Sequence, residues 1–256
     1  MKKEWKILLI GNSFSQDASR MLAQVGLEMG AEKVRVVNLF VPGCSVRMHW
    51  KHALKDMPAY RFDEMRGSRL LVTPNYRISE ALAADAWDWV CIQQGSSDGS
   101  FYSREESYDC LPNLLTYIRQ RVPATTRIAF NMTWVGEPEH KHREMVFYKG
   151  DQKKLMGQIA ELTKSLVAPM EGIDRICPLG TAIQHMRAEG VGVLTRDGYH
   201  LNTGMGRYTA ALTLWMTLTD TDVRNILWHP DSVNESLRDI CSSCAHRAVM
   251  NPYTLP

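Results

Sequence analysis

The sequence predicts an α/β fold in which a doubly wound parallel sheet of five strands lies between two layers of helices, a three-layer αβα sandwich. Short apolar runs alternate along the chain with longer segments of helical spacing. These runs are apolar throughout and do not alternate with polar residues, as expected of parallel strands buried on both faces. The chain has 256 residues, of which 45% are hydrophobic, and can bury a substantial core.

The predicted strands are short and rich in β-branched and aromatic residues, and they cover residues 5–10, 34–40, 88–93, 127–132 and 173–177. Helices are predicted between and after these strands, near residues 16–30, 105–121, 148–168, 179–189 and 203–218. In the last of these helices, apolar side chains recur at helical spacing from Met205 to Trp215. This alternation of strands and helices is typical of a flavodoxin-like sheet with helices on both faces.

Two segments do not fit a simple alternation of strands and helices. The interval 44–87 is too long for one connection, and we interpret it as an insertion of a helix and a hairpin beside the carboxyl edge of the sheet. The tail, 220–256, is predicted to be helical decoration. Because the sequence has no internal repeat and no low-complexity linker, residues 1–256 are predicted to form a single domain.

The charge balance and the apolar pattern exclude several classes of partner. The formal charge of +2 comes from 30 basic and 28 acidic residues, without a basic run of the kind that binds nucleic acid. No apolar stretch approaches the roughly 18 residues that would insert into a membrane. The apolar run Ile7–Ile10 is too short for a signal peptide. We therefore expect a cytoplasmic protein, or a periplasmic or secreted one if a leader was removed, and the oligomeric state stays open.

The sequence predicts no metal site and no cofactor. Cys241 and Cys244 have CxxC spacing, but they lie in a helical-looking tail without the context of a redox motif and without a second ligand pair for zinc. His140 and His142 form an H-x-H pair among glutamates, a pattern more typical of a solvated surface than of a metal site.

Polar and small residues follow the carboxyl ends of the predicted strands, where ligands bind in open α/β sheets. These motifs are GNSFS (11–15), PGCS (42–45), QGSSD (94–98), Thr133-Trp134 and, just before the last predicted helix, DGYHLN (197–202).

Ser13 and His200 are the candidate nucleophile and base. A serine hydroxyl is a weak nucleophile at neutral pH and needs an adjacent base, which His200 can provide through Nε2. Asp197, three residues earlier, can orient the other ring nitrogen, and Gly198 between them permits a tight turn. Ser13 could instead cap the following helix, but Ser15 and Asp17 are better placed for capping.

Together these motifs resemble the SGNH/GDSL hydrolase family. GNSFS is similar to the first block, with Asn12 in place of the usual aspartate, PGCS to the second and DGYH to the fifth. QGSSD stands where the third block belongs and is more similar to the Gln-Gly-Glu-Ser version of sialate and plant carbohydrate acetylesterases. The whole set looks like an uncharacterised SGNH-like branch common in gut Bacteroidetes.

The resemblance implies an oxyanion hole formed by the N–H groups of Ser13 and Gly43 and by a side-chain amide. Gln94 is the predicted third donor, with Ser97 as the alternative if the motifs are aligned on Asp98. His49 and Trp134 are predicted to bind substrate.

The function that follows is a serine esterase without cofactor that removes acetyl groups from a carbohydrate or another small-molecule ester. Three alternatives stay open: a lipid esterase or thioesterase with the same triad, a flavodoxin-like module that binds an anion without catalysis, and an inactive relative.

Overall fold

The computed structural model describes residues 2–66, 69–95 and 98–256, with seven strands in one mixed sheet. The strands are Glu4–Gly11 (β1), Lys33–Phe40 (β2), Tyr60–Arg66 (β3), Arg69–Tyr76 (β4), Trp89–Gln93 (β5), Arg127–Asn131 (β6) and Arg175–Cys177 (β7). Their order across the sheet is β4-β3-β2-β1-β5-β6-β7.

The five predicted parallel strands are present and lie side by side. β1 is central and pairs in parallel with β2 on one side and β5 on the other, and β6 and β7 continue in the same direction. Ile7, Leu8, Leu9 and Ile10 of β1 are completely buried, which explains why this strand is apolar throughout. The predicted α/β three-layer class is confirmed.

The number of strands and the position of the hairpin required correction. The hairpin β3–β4 does not lie beside the sheet but extends it, because β3 pairs antiparallel with β2 and β4 pairs antiparallel with β3. β4 is largely exposed, so its sequence lacks the continuous apolar run by which buried parallel strands were identified. The sheet is therefore mixed and seven-stranded within the described residues.

The helices follow the predicted segments with shifted ends. They are Ser13–Ser19 (α1), Leu22–Glu28 (α2), Val46–Leu54 (α3), Ile78–Ala83 (α4), Leu111–Arg119 (α5), Arg143–Phe147 (α6), Gln152–Leu162 (α7), Leu179–Ala188 (α8), Met205–Thr219 (α9) and Glu235–Met250 (α10). Short 3₁₀ turns cover Glu105–Tyr108 and Val223–Asn225, and a π-helical turn covers Thr163–Val167. Across the described ranges, none of these helices has the length and apolar character needed to cross a membrane.

The sheet separates two hydrophobic layers. Alternate β1 residues such as Ile7 and Leu9 pack with α1, α2, α8, α9 and α10, where Trp215 is fully buried. The intervening residues Leu8 and Ile10 pack with α3, α4 and α5 on the other face. Burying one such aliphatic side chain contributes about 1.5–3 kcal/mol to folding. The layers hold the carboxyl ends of β1, β2, β5 and β6 together at one edge.

Candidate active site

Ser13 is the first residue of α1, directly after the end of β1. Asn12 caps this helix, since its Oδ1 accepts a hydrogen bond from the N–H of Phe14 at 2.9 Å. The prediction that Ser15 or Asp17 caps this helix was wrong, because the helix begins earlier than expected. The Ser15 hydroxyl donates to the Asn12 carbonyl, and Asp17 forms buried ion pairs. Ser13 is thus left partly exposed at a helix N-terminus.

The structure brings Ser13, His200 and Asp197 into one chain of hydrogen bonds. Oγ of Ser13 lies 2.8 Å from Nε2 of His200, and Nδ1 of His200 lies 2.7 Å from Oδ2 of Asp197. A neutral His200 that donates from Nδ1 to the carboxylate presents Nε2 as an acceptor for the serine proton. We call this arrangement the Ser–His–Asp chain.

Asp197 is fixed by the turn that it begins. Its Oδ1 accepts hydrogen bonds from the N–H groups of Tyr199, at 3.0 Å, and His200, at 2.7 Å. Gly198 adopts a φ of +83°, a left-handed conformation that glycine takes without strain. Burial pushes the pKa of the Asp197 carboxyl upward, but the bonds from His200 and Tyr199 outweigh it and hold that pKa at about 2. The carboxylate is therefore ionised at neutral pH.

The loop after β6 packs against this turn and fixes its backbone. Nε1 of Trp134 donates to the Tyr199 carbonyl at 2.9 Å, and the N–H of Glu137 donates to the Gly198 carbonyl at 2.7 Å. The Trp134 ring stacks on Phe14 with centroids 4.2 Å apart, so it also contacts the helix that carries Ser13. Trp134 is only 1% exposed, and its predicted contact with substrate is corrected to a supporting role beneath the site.

His49 is also buried and does not line the site. Its Nδ1 lies 2.8 Å from the Tyr60 hydroxyl and 3.4 Å from Sγ of Cys44. Complete burial, with a smaller contribution from His52, lowers the pKa of His49 to about 3, so the ring is neutral. The predicted substrate contact of His49 is therefore corrected: it packs α3 against β3 and the loop after β2.

Two backbone N–H groups are available for an oxyanion. The N–H of Ser13 belongs to the first turn of α1, where helix geometry leaves donors without intrahelical partners. The N–H of Gly43 donates to no backbone carbonyl of the described chain, and Gly43 has a φ of +59°. Nδ2 of Asn12 donates to the Cys44 carbonyl at 3.2 Å, which ties the loop of Gly43 to the start of α1.

The amide of Gln94 is committed to its own loop. Its Oε1 accepts from the N–H groups of Val46 and Gly95, both at 2.8 Å, and its Nε2 donates to the Ser107 carbonyl at 2.5 Å. The prediction of Gln94 as third oxyanion donor is thus corrected, because this buried amide holds the loops after β2 and β5 together. Ser97, the alternative donor, lies outside the described residues.

Sequence reasoning missed an ion network behind the site. Asp17, 1% exposed, accepts from Nη1 of Arg196 with both oxygens at 3.0 Å and pairs with Nη2 of Arg207 at 2.7 Å. Arg196 precedes Asp197, and Asp17 lies one helical turn after Ser13. The network therefore joins α1, the DGYH turn and α9. In the sequence, the signal for this network is the pair Arg196 and Arg207, which flank the DGYHLN motif.

Within the described ranges, no group of three or more His, Cys, Asp or Glu side chains is arranged to hold a metal ion. The rings of His140 and His142 both stack on Tyr199, with centroids 5.0 and 4.7 Å away. The acids near them are engaged elsewhere, Glu137 with Arg187 and Glu144 with Ser103.

The fold and site define an α/β protein with a Ser–His–Asp chain at the carboxyl edge of its sheet. The family model described as "Domain of unknown function (DUF4886)" matches residues 6–248. The chain therefore belongs to the DUF4886 family. No curated protein matches the sequence.

The chain is similar to several solved structures, three of which illustrate the range. A DUF4886 family protein from Bacteroides uniformis is 33% identical, with a TM-score of 0.92 over 99% of this chain and 97% of that one. A Streptococcus pneumonia protein provisionally named a platelet activating factor is 16% identical, with a TM-score of 0.52 over 83% and 82%. It shares the fold. The acetylxylan esterase Axe2 from Geobacillus stearothermophilus is 16% identical over 86% and 96%, with a TM-score of 0.48.

Proposed function

We propose that this protein is a serine hydrolase of the SGNH type that cleaves short acyl esters, acetyl groups on a carbohydrate above all. The observation that carries the proposal is the 2.8 Å contact between Oγ of Ser13 and Nε2 of His200, two residues 187 positions apart in sequence. A helix cap has no need of a histidine at its hydroxyl, and an anion-binding loop has no need of the His200–Asp197 pair.

Acylation begins with attack of Ser13 Oγ on the ester carbonyl carbon. Nε2 of His200 accepts the serine proton as the new C–O bond forms, and the Asp197 carboxylate stabilises the imidazolium. His200 then donates this proton to the departing alkoxide, which leaves as an alcohol. The products of this half-reaction are the free hydroxyl and an acyl-Ser13 ester.

Deacylation repeats the same proton transfers with water. His200 accepts a proton from water, the resulting hydroxide equivalent attacks the acyl-serine, and Ser13 recovers its proton. In both tetrahedral intermediates the N–H groups of Ser13 and Gly43 stabilise the oxyanion. A preorganised donor of this kind lowers the barrier by about 3–4 kcal/mol.

The preference for acetyl esters of carbohydrates rests on the motif resemblance. A lipid esterase or thioesterase would use the same three side chains, so acyl-chain length must be measured. A series of p-nitrophenyl esters from acetate to octanoate, together with acetylated xylose, separates the alternatives. We expect kcat/KM to fall steeply beyond the shortest chains.

The control for this experiment is Ser13→Ala, which we expect to fold normally because Ser13 is partly exposed and does not cap α1. Loss of the nucleophile is expected to lower kcat by at least about 10⁴-fold. Rates that rise toward octanoate would identify a lipid esterase. Equal rates for wild type and Ser13→Ala would contradict the proposed mechanism.

A further inference from the structure

A polar cavity of about 200 Å³ lies beside α1, next to the Ser–His–Asp chain but lined by none of its three members. Its walls come from α1 and the following residue Arg20, from β2, β3 and β4, and from Arg196 and Arg207. At ~30 Å³ per water molecule, this volume corresponds to roughly six or seven waters. It is therefore large enough for a small polyatomic ion or a short acid.

The cavity begins one helical turn beyond the proposed nucleophile. Gln16, Asp17 and Arg20 follow Ser13 at intervals of three, four and seven residues, and so share one face of the helix with it. At the rise of an α-helix, Asp17 lies about 6 Å and Arg20 about 10 Å along the axis from Ser13.

The charges around the cavity leave an excess of cations. Asp17 is buried and bound by both Arg196 and Arg207, so two guanidinium groups share one carboxylate. Arg20 forms no ion pair with a carboxylate among the described residues, and its Nη1 lies 3.3 Å from Sδ of Met65.

The remaining acid of the cavity wall, Asp63, already has donors of its own. Arg61 binds both of its oxygens at 2.6 Å, and Nε2 of Gln16 donates to it at 2.6 Å. Asp63 therefore does not neutralise Arg20.

The buried side-chain amide of Asn38 also has one end without a hydrogen-bond partner in the described chain. Asn38 lines the cavity and is 4% exposed, and Ser15 occupies only one end of its amide. Ser15 has a single hydroxyl proton, so Asn38 can present either its oxygen or its nitrogen to that hydroxyl. The other end has no partner in the described chain. A buried polar group of this kind normally binds water or a ligand.

We propose that this cavity is a binding site for a small oxyanion, a phosphate or carboxylate group. The guanidinium of Arg20, which has no carboxylate partner among the described residues, and the shared charge of Arg196 and Arg207 suit an acceptor-rich anion. A metal cation would meet uncompensated arginines, and a neutral ligand would leave the excess charge unpaired. The proposal does not depend on hydrolase activity.

Isothermal titration calorimetry with inorganic phosphate, at neutral pH and with ionic strength held constant by NaCl, tests the site. We expect one saturable site in the wild-type protein. Removing one charge-assisted contact in Arg20→Gln should weaken phosphate binding about tenfold, and Arg20→Lys should have an intermediate effect because it keeps the charge without the planar fork.

The matched control is Arg121→Gln, which removes an exposed arginine that donates to the Tyr117 carbonyl and lies outside the cavity, so phosphate binding should be unchanged. Because Arg20 is exposed at the end of α1, both variants should melt at the wild-type temperature without phosphate. Absence of a saturable heat would overturn the proposal, as would equal binding by Arg20→Gln or equal weakening by Arg121→Gln.

The oxyanion can be a free ion or the acidic group of an ester substrate, and kinetics separate these sources. If phosphate raises KM without changing kcat, phosphate competes with substrate and the site binds the acidic group of the ester. If phosphate binds without changing KM, the site takes a free ion. If no ester is hydrolysed, calorimetry still decides the binding proposal, so its failure is distinct from failure of the proposed function.

Discussion

At the residue scale, Asn12 shows what an amide contributes at a position where the SGNH/GDSL family, which the sequence motifs resemble, usually has an aspartate. Its oxygen accepts from the Phe14 N–H, as a carboxylate could, but its nitrogen donates to the Cys44 carbonyl at 3.2 Å. A carboxylate has no proton to donate there. Asn12 therefore joins the start of α1 to the loop of Gly43.

We expect Asn12→Asp to place a carboxylate against the Cys44 carbonyl in a site that is 1% exposed. The lost donor and the lone-pair repulsion should reduce the free energy of unfolding by about 1–3 kcal/mol. Urea unfolding measures this change, with Asn225→Asp as the control, because Asn225 is an exposed residue of the Val223–Asn225 turn. Wild-type stability in Asn12→Asp would show that the tie to the Gly43 loop contributes nothing.

Asp197→Asn tests the orienting role of the carboxylate. An amide that donates to Nδ1 of His200 favours the tautomer whose Nε2 carries the proton and cannot accept one from Ser13. We expect kcat/KM for the best ester to fall by about 10³- to 10⁴-fold with little change in KM. Steady-state kinetics provide the measurement, and an unchanged kcat would exclude Asp197 from the mechanism.

At the element scale, the ends of neighbouring strands are held by close backbone contacts. A Cβ built on Gly95, just after β5, would lie 2.0 Å from the Cys44 carbonyl oxygen and 2.6 Å from that of Gly43. Both atoms belong to the backbone of the loop after β2, so neither can rotate away. Gly95 is therefore required for these two loops to meet at the proposed oxyanion site.

We expect Gly95→Ala to displace the Gly43 loop and to lower kcat by about 10²-fold or more, as loss of one oxyanion donor does. Gly157→Ala in α7 is the matched control, since its Cβ would meet nothing closer than 4.0 Å. That variant should gain about 0.5–1 kcal/mol of stability with unchanged kcat. Equal activity of the two variants would contradict this role for Gly95.

The sequence predicted the elements that are buried on both faces and missed the consequences of long-range contacts. β1 could be found because its residues are apolar throughout, whereas the exposed edge strand β4 has no such signal. The residues of the Ser–His–Asp chain could be named because each follows a strand end or precedes a helix. Gln94 was assigned wrongly because its partner, the Ser107 carbonyl, belongs to a turn that motif alignment does not place.

At the scale of the whole molecule, two neutral histidines, one fully buried and one partly buried, link stability to acid pH. The pKa of His49 falls to about 3 through burial, and that of His142 to about 4 through burial and the nearby charges of His140 and Arg143. As the pH falls, the unfolded chain binds these protons near pH 6.5, a higher pH than the folded protein requires. Stability is therefore lost as the pH falls below about 6.5, until each folded-state pKa is reached.

Between about pH 6.5 and the folded-state pKa of each histidine, we expect every unit of falling pH to reduce the free energy of unfolding by up to about 1.4 kcal/mol per histidine. The Asp197 carboxyl matters at lower pH. Because its pKa of about 2 in the folded protein lies below the unfolded value of about 3.9, its carboxylate stabilises the fold above about pH 3.9, and this contribution is lost as the pH falls toward 2. Urea unfolding across the window should give a shallower slope for His49→Gln than for wild type. Equal slopes would contradict a neutral, buried His49.

The central claim is that His200 activates the Ser13 hydroxyl, and reaction with a fluorophosphonate probe tests it most directly. Mass spectrometry of the labelled protein should place the adduct on Ser13, with labelling lost in His200→Ala and retained in His229→Ala, a histidine outside the site. An unlabelled but folded wild-type protein would contradict the account, as would an adduct on another serine or full labelling of His200→Ala.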